Sequence, residues 1–179
     1  LQLRRHNPAI TVSTIDGMVA SGNVRALVAG HDVVLDCTDN FAARILIHDT
    51  CRDLGVSLIS AAVHQFEGTL DVFLPKGEGC LHCLGPVSLP GGFSPVEGCG
   101  ASSVFGPAVG ILGTWQAAEA IKLIVGIESF TARRTLLVDL LDGTFETIER
   151  RAQPHCLCGG PPPAIGGAAR GGAAEHVAR

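Results

Sequence analysis

Apolar and polar positions divide the chain into short segments with distinct periods. Residues 32–37, Asp-Val-Val-Leu-Asp-Cys, form a compact β-branched run, the pattern of a strand buried in a parallel sheet. Thr38-Asp39-Asn40 follow, all residue types that cap helices. Residues 41–54 then predict a helix, with Phe41, Ile45, Leu46 and His48 near one side and Gly55 as its stop. Residues 56–62 predict the next strand, so strand, helix and strand form a right-handed parallel crossover. Upstream, residues 9–14 read as a short strand and 23–29 as a short helix.

The pattern then changes. Residues 63–75 alternate apolar and polar, as an antiparallel ribbon does. Residues 84–103 are rich in Gly, Pro and Ser and predict a long surface loop. Residues 106–126 predict an apolar helix in which Gly110 and Gly113 allow another backbone to come close. Residues 134–141 and 144–150 predict a hairpin across Asp142-Gly143, a type I′ signal. Residues 159–179 are Gly, Ala and Pro with few large apolar groups and predict a disordered tail, leaving one domain over 1–158. The fold class is therefore α/β, a Rossmann-like parallel sheet continuing into an antiparallel ribbon.

Composition narrows the functions. At 46% hydrophobic and 17% charged residues, the 179-residue chain is too apolar to be disordered and suits one domain or part of one. A formal charge of −4 gives no basic footprint for nucleic acid or an acidic membrane surface. Seven Phe, one Trp and no Tyr give few surfaces on which bases would stack. The most apolar stretch, 104–127, contains Gln116, Glu119 and Lys122, which suits a buried helix rather than a membrane span. Leu1 to His6 read as the inside of an element, so the chain is expected to be part of something longer. Seven cysteines without a secretion signal suit a reducing, cytoplasmic compartment.

Those cysteines carry the strongest chemical signal. Cys80-Leu-His-Cys83 is a C-x-x-C knuckle, and Cys156-Leu-Cys158 follows the last hairpin. Two short pairs on separate turns suit a tetrahedral zinc site with four cysteine ligands. The C-x-C spacing is tight, which leaves His155 or His82 as a substitute ligand. The alternative is four reduced cysteines with no metal.

Asp36-Cys37-Thr38-Asp39-Asn40 is the second signal. It stands at the carboxyl end of a predicted parallel strand, where open α/β sheets bind ligands. A carboxylate there can hold Mg²⁺ against phosphates, and the following helix start can attract anions. The simpler reading is that Thr38, Asp39 or Asn40 caps the helix. Cys99 lies in the Gly-rich loop just before a helix, where a thiolate is favoured; the alternative is an ordinary loop cysteine. Gly98 to Ser103 imitate a phosphate loop but end in Ser and follow no strand. His31 and His64 have no patterned partner.

Taken together, Asn7-Pro8, Asp32 to Arg44, Ser60-Ala-Ala, Phe66 to Phe73, Cys80-Leu-His-Cys83-Leu, Gly106 to Leu123 and Asp142-Gly143 resemble the HesA/MoeB/ThiF family, relatives of ubiquitin-activating enzymes. The likeness runs from about residue 3 to 158 in the family's order. It implies an adenylyltransferase that uses ATP to activate the C-terminal Gly-Gly carboxylate of a ubiquitin-like sulfur-carrier protein, for molybdopterin, thiamin or a related pathway. By that resemblance Asp39 serves Mg²⁺ and nucleotide, Asn40 lines the nucleotide site and Arg44 lies near the carrier tail. Cys99 matches a loop cysteine that takes up the activated carboxyl group or sulfur in some members, and Cys80, Cys83, Cys156 and Cys158 match zinc ligands. The Gly-rich face of the 106–126 helix suggests close helix contact across a homodimer, and a sulfur donor protein is a further expected partner.

The family's glycine-rich loop, ribose-binding acid and phosphate-binding Arg and Lys belong upstream of Leu1, so this chain by itself is expected not to adenylate. The last cysteine pair is one residue short, and His64-Gln65 stand where the family often ends in Arg. Two other functions fit parts of the pattern. One is a non-catalytic, zinc-stabilised module that docks a carrier protein. The other is a nicotinamide-dependent oxidoreductase, against which the missing G-x-G-x-x-G counts.

Overall fold

The structure is a computed structural model that describes residues 2–77, 79–84, 103–153 and 156. Among them α1 (Gln2–His6) and α2 (Val24–Val28) lead into β1 (Val33–Asp36), α3 (Phe41–Leu54), β2 (Ser57–His64) and β3 (Glu67–Phe73). After α4 (Leu81–Leu84) come α5 (Gly106–Ile124), a 3-10 turn (Phe130–Arg133), β4 (Arg134–Asp139) and β5 (Thr144–Glu149). The strands form one mixed sheet in the order β1-β2-β3-β4-β5. Only β1 and β2 are parallel, with Val33 opposite Ser57 and Asp36 opposite Ser60; the other pairs are antiparallel. The predicted parallel crossover and the antiparallel continuation are thus both present.

Helices cover the two faces of the sheet. Alternation along a strand sends neighbours to opposite faces, and β2 and β3 use both. Leu58 and Phe73, paired in register, pack with Val24, Val28, Ile47 and Cys51 of α2 and α3. Ile59 and Val72, the next pair, join Ala120 of α5, and Leu70 joins Leu112 with Leu136 and Val138. Each Val, Leu, Ile or Phe among them contributes roughly 1.5–3 kcal/mol by leaving water. β3 is therefore buried on both sides, and the alternation read in residues 63–75 separates two faces of the core rather than core from solvent.

Helix α3 has the predicted bounds because both of its ends are specified. Asn40 accepts the Ala43 N–H at 2.8 Å at the start, and Gly55 turns the chain with φ +69° at the end. Its buried face is Ala43, Ile47, His48 and Cys51; of the predicted Phe41, Ile45, Leu46 and His48 side only His48 is fully buried, and Leu46 packs at the edge of the core.

Three other expectations are corrected. Residues 9–14 form no strand; Ile10 is 41% exposed and no neighbouring strand pairs there among the described residues. The β4–β5 connection has four residues, closed by Asp139 opposite Thr144, and Asp139 Oδ1 accepts the Leu141 and Asp142 N–H groups. Only Gly143 has positive φ there, so it is not a type I′ turn. The close approach of α5 is made at Gly68 of β3, beneath Leu112, whereas Gly110 and Gly113 face open space. No helix among the described residues is long and apolar enough to cross a membrane.

Residues 85–102, with Cys99 and most of the predicted loop, lie outside the described residues, as do His155, Cys158 and the 159–179 tail.

Candidate functional site

The first candidate site is the turn at the carboxyl end of β1. Asp36 is fully buried and committed to the fold. Its Oδ1 accepts the Thr38 N–H at 2.9 Å and the Thr38 hydroxyl at 2.7 Å, while Oδ2 accepts the Ser60 hydroxyl at 2.9 Å. Arg44, one turn into α3, reaches back over the same turn. It donates to the Thr38 carbonyl at 2.7 Å, to the Ala61 carbonyl at 2.8 Å and to Ser60 Oγ at 3.2 Å. From below, Gln116 of α5 donates to the carbonyls of Asp36 and Ile59 at 2.9 and 3.1 Å. Two strands and two helices are tied at this one rim.

Asp39 is the exception. It is exposed, and among the described residues it enters no hydrogen bond or ion pair. Asn40 provides the helix cap, so Asp39 is left with a bare carboxylate at the carboxyl rim of the sheet, where open α/β sheets take ligands. A hard cation such as Mg²⁺ takes oxygen ligands of this kind, and the donor fits. Cys37, beside it, donates its thiol to Gln116 Oε1 at 3.4 Å. Partial burial, with the Asp36 charge, pushes the Cys37 thiol up against the opposing pull of Arg44 and Gln116.

The second candidate site is the cysteine knuckle. Gly79 and α4 bring Cys80 and Cys83 together, and the chain after β5 returns to add Cys156. Cys80 Sγ lies 3.6 Å from Cys83 Sγ and 3.4 Å from Cys156 Sγ. Sulfurs at about 2.3 Å from a tetrahedral zinc stand roughly 3.8 Å apart, so the spacing and the soft donor set fit zinc. Gln153 braces the knuckle by donating its N–H to Cys83 Sγ at 3.3 Å and its side-chain amide to the Cys83 carbonyl at 3.1 Å.

His82 is turned away to a second cluster that the sequence pattern did not reveal. His82 Nε2 and His48 Nδ1 both meet Asp49 Oδ1, at 2.7 and 2.9 Å. These three side chains could in principle hold a metal. However, His48 Nε2 accepts the Leu81 N–H at 3.2 Å. That bond fixes the proton on Nδ1, where it is donated to Asp49, so His48 has no lone pair left for an ion. The cluster is a clamp that docks α4 on α3. Burial holds the His48 imidazole below its ordinary pKa despite Asp49.

Asp71 and Arg150 are also absent from the sequence reading. Both are buried, and they pair at 2.6 Å. The one available signal was an acid inside the otherwise apolar run of residues 70–74.

Comparison with known proteins agrees with this geometry. Residues 1–160 match the ThiF family profile. Over 158 residues the chain is 38% identical to the SAMP-activating enzyme E1 of Haloferax volcanii, covering 88% of this chain and 57% of that protein. It is 36% identical over 162 residues to the adenylyltransferase and sulfurtransferase UBA4 of Yarrowia lipolytica, covering 89% and 40%. It is 34% identical over 167 residues to a sulfur carrier protein adenylyltransferase of Thermus thermophilus, covering 90% and 61%. The chain therefore spans about half the length of these relatives. Escherichia coli MccB with ATP shares the fold, with a TM-score of 0.70 at 18% identity over 88% of this chain and 48% of that one.

Proposed function

The chain belongs to the ThiF family, and from that premise we propose that it forms the carboxyl-rim part of an adenylyltransferase acting on a ubiquitin-like sulfur-carrier protein. The observation that carries this reading is Asp39. Among the described residues it is the side chain of the rim turn that the fold leaves unspent, at the edge where ligands enter such sheets. In the proposed reaction a carboxylate oxygen of the carrier's terminal glycine attacks the α-phosphorus of ATP. The bond to pyrophosphate breaks, leaving an acyl-adenylate. Both reactants are anionic, so positioning and positive charge must supply the acceleration.

Asp39 would hold Mg²⁺, which when bound supplies charge neutralisation at the phosphates. Asn40 starts α3, whose first-turn N–H groups favour anions. Arg44, with its guanidinium committed to Thr38, Ser60 and Ala61, fixes the turn that presents Asp39. Cys80, Cys83, Cys156 and Cys158 would hold a structural zinc, and Cys99 would accept the activated carboxyl group or sulfur. The exposed α5 face with Val109, Ile121 and Ile124 would pair two copies in a cytoplasmic homodimer, with a sulfur donor protein as a further partner. By itself the 179-residue chain would not turn over ATP.

The test grafts residues 1–160 in place of the matching segment of the Haloferax volcanii enzyme. The chimera should exchange pyrophosphate into ATP in the presence of a carrier, and Asp39→Asn should abolish the exchange. A folded chimera without exchange overturns the reading. Robust exchange by the 179-residue chain alone overturns its incompleteness.

A second reading, a zinc-stabilised module that docks a carrier without catalysis, is favoured by one observation. The knuckle and its bracing by Gln153 are assembled without any nucleotide-binding residue. Carrier binding that is unchanged by Asp39→Asn, in a chimera lacking exchange, would select it.

A further inference from the structure

Arg150 joins the knuckle to the sheet. It leaves β5 at the point where the chain turns toward Gln153 and Cys156. Its guanidinium is sealed in the core, with 1% of the side chain exposed. Nη1 donates to Asp71 Oδ1 at 2.6 Å, and Nη2 donates to the carbonyls of Val72 and Ala132 at 2.6 and 2.9 Å. The guanidinium carbon lies 4.3 Å from the centre of the Phe73 ring. Nε is buried and has no hydrogen-bond partner among the described residues. An Arg held this firmly is a fixed cation in the core, with one N–H donor unpartnered among the described residues.

The knuckle has the complementary excess. Even the three thiolates brought together here, Cys80, Cys83 and Cys156, would carry a net charge of −1 around one zinc, in a place where Cys80 and Cys83 are buried. Gly79 sets the contact. It immediately precedes Cys80, and a Cβ built on it would stand 2.7 Å from Arg150 Cγ, so the knuckle backbone lies directly on the Arg150 side chain. Burial holds the Arg150 guanidinium below its ordinary range, and the charge and hydrogen bond of Asp71, then the charges of Cys80 and Cys83, oppose that pull.

Asp71 faces the same side of the sheet as Phe73. It accepts from Thr135 and from Arg150, and burial pushes its carboxyl upward against the pull of Arg150.

We propose that Arg150 is the shared counter-charge of the thiolate knuckle and a positioning residue for its metal, in competition with Asp71. This rests on the zinc reading above. It assigns to Arg150 and Asp71 opposite effects on one metal: the arginine stabilises the anionic cluster, and the carboxylate withdraws part of that stabilisation. A purely structural role for the pair would give both substitutions the same effect, because either one breaks the same buried bridge.

The test uses the full chain loaded with Zn²⁺ or Co²⁺. Chelator competition measures zinc affinity, and the sulfur-to-cobalt charge-transfer band reads the electrostatic environment of the thiolates. A nearby cation stabilises the thiolate lone pairs and moves the band to higher energy. Arg150→Gln should weaken zinc about tenfold and move the band to lower energy. Asp71→Asn, which keeps an oxygen for Thr135 and Arg150, should tighten zinc severalfold and move the band to higher energy. Arg150→Lys keeps the charge and should leave the band in place, and this comparison stands even if Arg150→Gln fails to fold. Band shifts of the same sign for the Gln and Asn variants, or none, overturn the proposal while leaving zinc binding intact. If the unaltered chain takes up neither metal, the zinc reading fails and this inference fails with it.

Discussion

Arg44 Nε stands 3.6 Å from Asp36 Oδ2, and the side chains are 11% and 0% exposed. Arg44 also holds Thr38 and Ala61, so it closes the rim turn over a carboxylate that has no route to solvent. Removing it leaves Asp36 with its two hydroxyl partners and one N–H but without its cation. Arg44→Ala should cost about 3 kcal/mol of folding stability, measured by urea denaturation. Arg44→Lys should recover part of this, because one ammonium cannot reach the Thr38 and Ala61 carbonyls together with Ser60. An Arg44→Ala chain with unchanged stability would remove the structural role.

Asp39 should behave in the opposite way. It is exposed and bonds to nothing among the described residues, so Asp39→Asn should leave stability within about 0.5 kcal/mol. In the grafted enzyme the same substitution should eliminate magnesium-dependent pyrophosphate exchange. Coupled loss of stability and exchange would mean that Asp39 is part of the scaffold. The contrast between Asp36 and Asp39, three residues apart, is therefore measurable.

That contrast was not visible in the sequence. The string Asp36 to Asn40 marked the turn, and the Asn40 cap and Gly55 stop gave α3 its bounds, because capping is local chemistry. Local pattern could not say which acid was spent, since the partners of Asp36 include Ser60 and Gln116, 24 and 80 residues away. The same limit hid the His48–Asp49–His82 clamp and the Asp71–Arg150 bridge, whose partners meet only after the sheet forms. Residues 9–14 show the reverse failure. Ile10 and Val12 favour an extended backbone, but no strand lies beside them, among the described residues, to complete a ladder. Cys80 and Cys83 were legible by spacing and are joined by Cys156, while Cys99 and Cys158 lie outside the described residues.

Gly79 offers a test of how tightly the knuckle is seated. With φ +72°, any other residue there is strained, and its Cβ would press on Arg150 Cγ and, at 3.3 Å, on the Arg151 carbonyl carbon. Gly79→Ala should cost about 3 kcal/mol, the sum of the left-handed penalty and an overpacked contact. Gly55→Ala has nearly the same backbone angle but open space around it, and should cost only about 1 kcal/mol. Equal losses in thermal denaturation would mean that the Arg150 contact is not restrictive.

Metal removal should be read in the same assay. If zinc closes the thiol cluster, it ties the chain after β5 to α4, and its binding energy adds to folding. At roughly a thousandfold excess over its dissociation constant, the ion contributes about 4 kcal/mol. A strong chelator should therefore lower the melting temperature by many degrees, and Cys80→Ser should lower it equally with or without chelator. Melting that ignores the chelator, with free thiols at Cys80, Cys83 and Cys156, would leave the knuckle held by packing alone.

Acid should loosen the clamp that seats α4. Burial holds His48 below its ordinary value of 6.5, and the His48 and His82 hydrogen bonds hold Asp49 below 3.8 against its own burial. For His48 the unfolded chain takes up its proton first as pH falls. The stabilisation from its neutral form is therefore complete above about pH 6.5 and declines below it. Asp49 acts in the same direction in a lower window, keeping its contribution above about pH 3.8 and losing it as pH falls further. Protonated His48 must also give up the Leu81 N–H, because Nε2 then becomes a donor. Urea midpoints, measured in chelator to remove metal effects, should fall between about pH 7.5 and about 5.5. His48→Gln retains an acceptor for Leu81 but does not titrate, so it should show a smaller fall over that interval. An identical pH slope in the variant would show that the acid sensitivity lies elsewhere.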